Sequence, residues 1–463
     1  MPDSPEQERH PAPRAPRWRE VFSGHFGRLT FGLFLLEALA AVQILVVTAV
    51  MPVITRELGG IRLYGWAFSA SGLATVMAIP LTGQAVDRFG PRKPLALMLG
   101  VFGAGTLVAG LAPSMPVFVL GRFLQGAGAG AQYAVGLGTV AKHYPEDHRA
   151  RVLALLAAAW VVPGLVGPSY GALLASTIGW RWALLSLVPL LAGASWLVFP
   201  GLAVLPSIKV ARRVEVLHPI LLSLGAAAIF AGLTDFSVWT APLVLVGAGL
   251  AGPALRRLVV SGSALARPGL SAALAAGFLL SLAFFAVDGF VPLLLTRIRG
   301  QTVGVASLVV TLATVSWSLG TIWQSRVASR VRRSVLVMTG ALAIAAGAAG
   351  VAAGLLDVPL AIPYVAWTIA GLGIGVAYPT IYLVTMERAG LGAEGSAVAL
   401  MVLIDSLGVS VGTGLGGSAV ALSTSAGAGI STGLTATFVL AIAAALALAA
   451  MSRRLDPARH GAS

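Results

Sequence analysis

Four ionisable side chains fall inside long apolar runs: Arg122, Glu37, Asp288 and Asp405. In hydrocarbon a charge costs several kcal/mol unless it meets a counter-charge, a carbonyl or water, so each is a candidate for function. A carboxyl group so placed changes its protonation with what approaches it, which is the chemistry of a proton carrier. Arg122 either serves such a site or extends its stem toward the outer face, about two turns away. Each carboxylate alternatively serves as a hydrogen-bonding group in a packed bundle. Trp66, Trp160, Trp317, Trp367 and Tyr378 could stack on an apolar ligand or fill helix interfaces. The chain has no cysteine and six scattered histidines, so no disulfide, metal centre or cofactor is expected. There is no P-loop, no paired metal-binding aspartates and no metalloprotease signature, so it is not expected to be an enzyme.

The elements that hold these residues are apolar helices. Of the 463 residues, 57% are hydrophobic and 10% charged, where a soluble domain carries about 25% charged. Segments of about 20 apolar residues recur between short polar joints, each long enough to cross a bilayer. Fourteen are expected, the seventh and eighth (218–235 and 238–255) being the shortest. With the N-terminus inside, the inner joints hold most of the 31 Lys and Arg, so the net charge of +14 reports topology and excludes a nucleic-acid footprint. Residues 1–28 form a cytoplasmic tail without the apolar core of a signal peptide. The Ala-, Gly- and Arg-rich composition suggests a bacterial chain of the cell membrane, surrounded by lipid.

The chain also repeats. Gly126-x-Gly128-x-Gly130-x-x-Tyr133 returns 245 residues later as Gly371-x-Gly373-x-Gly375-x-x-Tyr378, and the same displacement carries Gly167 onto Gly412. A displacement of 240 carries Pro52 onto Pro292. The fold expected is all-α, an integral membrane protein of two six-helix bundles in parallel repeat. They occupy 29–205 and 268–452, with two extra helices in 206–267 and a tail at 453–463. Small residues at these spacings let helix backbones approach where no hydrophobic effect drives them together.

The joint after the second span reads Gly83-Gln-Ala-Val-Asp87-Arg88-Phe89-Gly90-Pro91-Arg92-Lys93. It resembles the loop signature of the major facilitator superfamily. The resemblance implies a conformational latch in which Gly83, Asp87, Arg88, Gly90, Arg92 and Lys93 take part. The second-half counterpart, Gly320 to Arg333, keeps basic residues and has no Asp. Leu120-Gly121-Arg122-Phe123-Leu124-Gln125-Gly126 resembles the family's fourth-helix signature, whose Arg is linked to proton coupling. Gly164-x-x-Gly167-Pro168-x-x-Gly171 resembles the signature of antiporter-type exporters, with Pro163 and Ala172 where glycines are usual. Together with Gly179-Trp180-Arg181-Trp182 and the extra helix pair, these motifs are most similar to the fourteen-helix drug:proton antiporters. Those commonly carry an Asp nine residues before the Pro that closes the first span, where this chain has Gln43. Glu37, Asp288 and Asp405 are the acids that could replace it. Gln43, Trp160, Trp317 and Tyr378 are the expected cavity residues.

The resemblance implies export of hydrophobic or amphipathic small molecules by proton antiport, by a monomer. A lipid flippase, uniporter or importer of the same fold stays open because Gln cannot carry a proton.

Overall fold

The computed structural model describes residues 24–203, 216–235, 237–260, 269–389 and 394–456. Most of the N-terminal tail, part of the 206–267 linker and the end of the C-terminal tail therefore lie outside the described residues. Helices account for the fold, and no strand occurs among the described residues. The first eight are α1 (Gly24–Glu57), α2 (Trp66–Phe89), α3 (Arg92–Gly110), α4 (Met115–His143), α5 (Glu146–Ala158), α6 (Val161–Thr177), α7 (Trp180–Leu185) and α8 (Leu187–Ala203). Then come α9 (Leu217–Thr234), α10 (Thr240–Val260) and α11 (Leu270–Asp288), followed by α12 (Val303–Val327), α13 (Arg333–Ala353), α14 (Ala361–Arg388), α15 (Glu394–Ser425) and α16 (Gly429–Met451).

Among the described residues each expected span is helical over most of its length, and eleven helical segments are long and apolar enough to cross a membrane. The fourth, fifth and eighth expected spans are outside that set. Arg122, Gln125 and Gln132 lower the hydropathy of α4, and Arg256 and Arg257 that of α10. The fifth span breaks between α5 and α6, and the sixth between α7 and α8. The ninth departs from α-helix after Asp288 and widens to a π turn over Leu294–Ile298.

Glycine sets the packing twice over. A Cβ on Gly126 or Gly130 would meet Ser71 or Thr75 of α2, and one on Gly128 would meet Phe102 of α3. In the second copy Gly371 and Gly375 face Ala313 and Trp317 of α12, while Gly373 faces Gly340 of α13. Alternate glycines thus seat two neighbours on opposite sides of one helix, in both copies.

Candidate functional site

One face joins the first half to the second and to the extra helix pair. Tyr64 donates to the carbonyl of Gly289 at 2.9 Å and its ring lies 5.2 Å from that of Phe290. Nearby, Gly65 and Gly417 bring the backbones preceding α2 and within α15 together. Arg62 pairs with Asp235 at 2.7 Å, and Trp66 donates to Thr234 at 3.0 Å, which docks the extra helix α9 on α2. With the N-terminus inside, this is the outer face.

Below it, Arg122 is 2% exposed and lies in a knot of amide oxygens. Its Nε donates to the carbonyl of Ala67 at 2.8 Å and its Nη1 to Gln125 Oε1 at 2.8 Å. Gln43 donates to the same Oε1 at 2.7 Å, and Gln125 donates onward to Thr106 at 3.1 Å. Gln43 therefore sits where the antiporter pattern would place its Asp, joined to Arg122 through a shared acceptor. Neutral dipoles satisfy the guanidinium, and no carboxylate pairs with it among the described residues.

About six residues, or roughly 9 Å, further in along α1, Glu37 accepts a hydrogen bond from Trp160 at 2.9 Å. In the other half Asp405 accepts from Ser281, and from Tyr378 at 3.2 Å. These are repeat-related contacts: Asp405 follows Trp160 by 245 residues and Ser281 follows Glu37 by 244. Acid and donor have changed places, so each half brings one carboxylate to the same level. Tyr133, the repeat mate of Tyr378, lies within the electrostatic field of both acids.

An aromatic wall flanks Asp405. Tyr378 stacks on Tyr382 at 4.7 Å and donates to it at 3.1 Å; Trp317 meets Tyr378 at 5.6 Å and Phe284 at 5.5 Å. Such faces suit flat apolar ligands, with the carboxylates available to any positive group. Trp367 is fully buried against Phe284 and donates to Asp288 at 3.0 Å. Asp288 itself is 7% exposed.

The antiporter-type motif divides in two. A Cβ on Gly164 would overlap Thr314 of α12, in the other half, whereas Gly167 and Gly171 lie against Leu45 and Val46 of α1. Pro168 lies within α6, and the chain breaks earlier, at Trp160, which is 38% exposed. At the inner face Asp87 pairs with Lys142 of α4 at 2.5 Å, so the loop is tied within its own half. Arg88 lies over the Phe89 ring at 5.1 Å. Gly90 adopts φ 77° as it ends α2 before Arg92 and Lys93, a conformation that favours glycine. A Cβ on Gly83 would meet nothing within 4 Å among the described residues, so this glycine sets no close helix contact there.

In the second half, whose loop has no Asp, a carboxylate reaches the start of α13 from beyond the last helix, that of Asp456. Its carboxylate accepts from the Ser334 amide at 3.0 Å and hydroxyl at 2.7 Å, and pairs with Arg332 at 2.7 Å, capping α13. Partial desolvation opposes ionisation there, but the Ser334 and Arg332 contacts hold the carboxyl below its usual range. Its stabilisation is therefore present at neutral pH and lost as the medium is acidified through that lowered pKa. Asp456→Ala should cost about 1 kcal/mol, read as a lower unfolding temperature in detergent at neutral pH. The difference should shrink in acid.

Tyr133, Tyr382, Ser281 and Gln125 were not singled out as site residues by sequence reasoning. Tyr133 stands in the repeat as the mate of Tyr378, which was an expected cavity residue.

The chain matches the family model described as Major Facilitator Superfamily over residues 33–413, and it belongs to that family of membrane transporters. A probable multidrug-efflux transporter of Mycobacterium tuberculosis strain H37Rv is 30% identical over 414 residues, covering 84% of this chain and 86% of that one. A triacylglyceride transporter of Mycolicibacterium smegmatis is 26% identical, covering 73% of this chain and 65% of that one. Among solved structures, an auto-inhibited POT-family peptide transporter superposes with a TM-score of 0.67 at 16% identity, covering 94% and 99%. The xylose transporter of E. coli, partially occluded and inward open, gives 0.64 at 15% identity, covering 95% and 100%. At these identities the structures show a shared fold.

Proposed function

We propose that this transporter exports hydrophobic or amphipathic small molecules across the bacterial cell membrane by proton antiport, as a monomer with alternating access. Two six-helix bundles, 29–205 and 268–452, rock about their contact, and the pair in 206–267 flanks them. The observation that carries this reading is the placement of Glu37 and Asp405, one from each half, at one level beside Tyr133, Tyr378 and Trp317. A ligand bound there changes the field felt by the buried acids that take up protons, and that linkage couples the two fluxes. The multidrug-efflux relative and the aromatic wall support an apolar or amphipathic ligand.

One observation favours a second reading, a lipid flippase, uniporter or importer without the usual coupling: position 43 is Gln, and Arg122 is satisfied without a carboxylate. Susceptibility to a panel of lipophilic compounds, compared between cells lacking and overproducing the chain, separates the two. Resistance that rises with expression and collapses on adding an uncoupler is the expected result. Resistance indifferent to the uncoupler would favour the second reading.

A further inference from the structure

The repeat also relates the amide at position 43 to an acid. Asp288 follows Gln43 by 245 residues, and Trp367 follows Arg122 by the same number. Both members of each pair come together: Gln43 joins Arg122 through Gln125 Oε1, and Trp367 donates to Asp288 at 3.0 Å. The Glu37–Trp160 and Ser281–Asp405 contacts give nearly the same displacement independently. Beyond Asp288 the ninth helix departs from regular geometry, and there the closing prolines fall 240 apart. One half thus holds a fixed cation with an amide; the other holds an indole with an acid.

We propose that Asp288, the acid that the repeat sets opposite Gln43, is the proton carrier of this transporter. The inference rests on the antiport reading. Asp288 has a place in the gate that Glu37 and Asp405 lack. It directly precedes Gly289, whose carbonyl takes the Tyr64 hydroxyl from the opposite half, so it lies behind the outer closure. The groups around it are Trp367 from α14, Phe284 and Phe285 on its own helix, and Tyr64 across the interface. Arg297 acts on Tyr64 from further out, beside Arg56. When Tyr64 withdraws, Asp288 meets the outer solution and its carboxylate takes one proton from water. The neutral acid then fits the closed outer face with its single Trp367 hydrogen bond. On the inner side it returns the proton to water reaching the level of Asp405 and Glu37.

The test uses purified full-length protein in lipid nanodiscs. Infrared spectra taken across a pH titration read the carbonyl band of a protonated carboxyl group. The chain has no native cysteine, so spin labels at Ile178→Cys and Leu356→Cys, in the outer joints of the two halves, read outer opening without competing sites. Asp288→Asn should remove the titrating band and fix the label distance at its short value at every pH. Its proton flux in proteoliposomes should fall by about tenfold or more. Glu37→Gln should keep the band, Asp288→Glu should keep both responses, and Gln43→Asp added to Asp288→Asn should restore pH-dependent opening. A wild-type band and pH response surviving in Asp288→Asn would overturn the assignment and leave antiport standing. A wild-type chain with neither would overturn both.

Discussion

Arg122→Leu is expected to lower the initial rate of transport by about 100-fold, on the order of 3 kcal/mol, while the protein still inserts and elutes as a single species. The separation of the two effects follows from what the side chain leaves behind. Ala67 offers a backbone carbonyl within α2, and Gln125 Oε1 keeps its bond from Gln43 at 2.7 Å. No buried acid is orphaned, because no carboxylate pairs with the guanidinium among the described residues. The lost group is a permanent positive charge in a medium that screens it poorly, beside the path between Gln43 and the carboxylate level. Arg122→Lys should fall between, since an ammonium keeps the charge but cannot reach Ala67 and Gln125 as a planar fork. Rates per folded molecule in proteoliposomes check both.

Gly126→Val should have the largest effect on folding. A Cβ at this position would overlap the Ser71 carbonyl, and Thr75 also donates to the Gly126 carbonyl at 2.9 Å, so α2 and α4 meet backbone to backbone. Backbone cannot rotate away as a long side chain can, and separating the helices costs about 3 kcal/mol or more. The expected outcome is little folded protein and a large drop in unfolding temperature. Gly136→Val on the same helix is the control: nothing lies within 4 Å of a Cβ there among the described residues, and its stability should change little.

These two sites show what was legible in the sequence. The glycine triplets announced close helix packing, and the structure uses each glycine against a specific neighbour, because spacing along one helix survives folding unchanged. Arg122 stood out as a charge within an apolar run, and it is buried as expected. Its partners were harder to read. Gln43 drew notice as a missing acid, but its link to Arg122 runs through Gln125, 82 residues away, and only packing sets that register. Trp160 and Glu37 were both candidates, yet nothing in the sequence joined residues 123 apart. Asp456 was hidden because a polar residue after the last helix has no periodicity, and its role depends on where α13 begins. The break at Trp160 and the π turn after Pro292 were likewise invisible, since local hydropathy stays high through both. The resemblance implies a latch at Asp87, and its carboxylate is held by Lys142 of its own half.

In the proposed antiport, substrate movement and proton movement are obligatorily coupled. Purified protein in proteoliposomes carrying a pH-sensitive dye in the lumen tests this directly, with a lipophilic substrate found in the susceptibility panel applied as a gradient across a membrane of zero pH difference. The expected result is proton movement opposite to substrate flux, so that substrate entering the lumen alkalinises it, a change that Arg122→Leu removes. Clear substrate flux with an unchanged lumenal pH would contradict it.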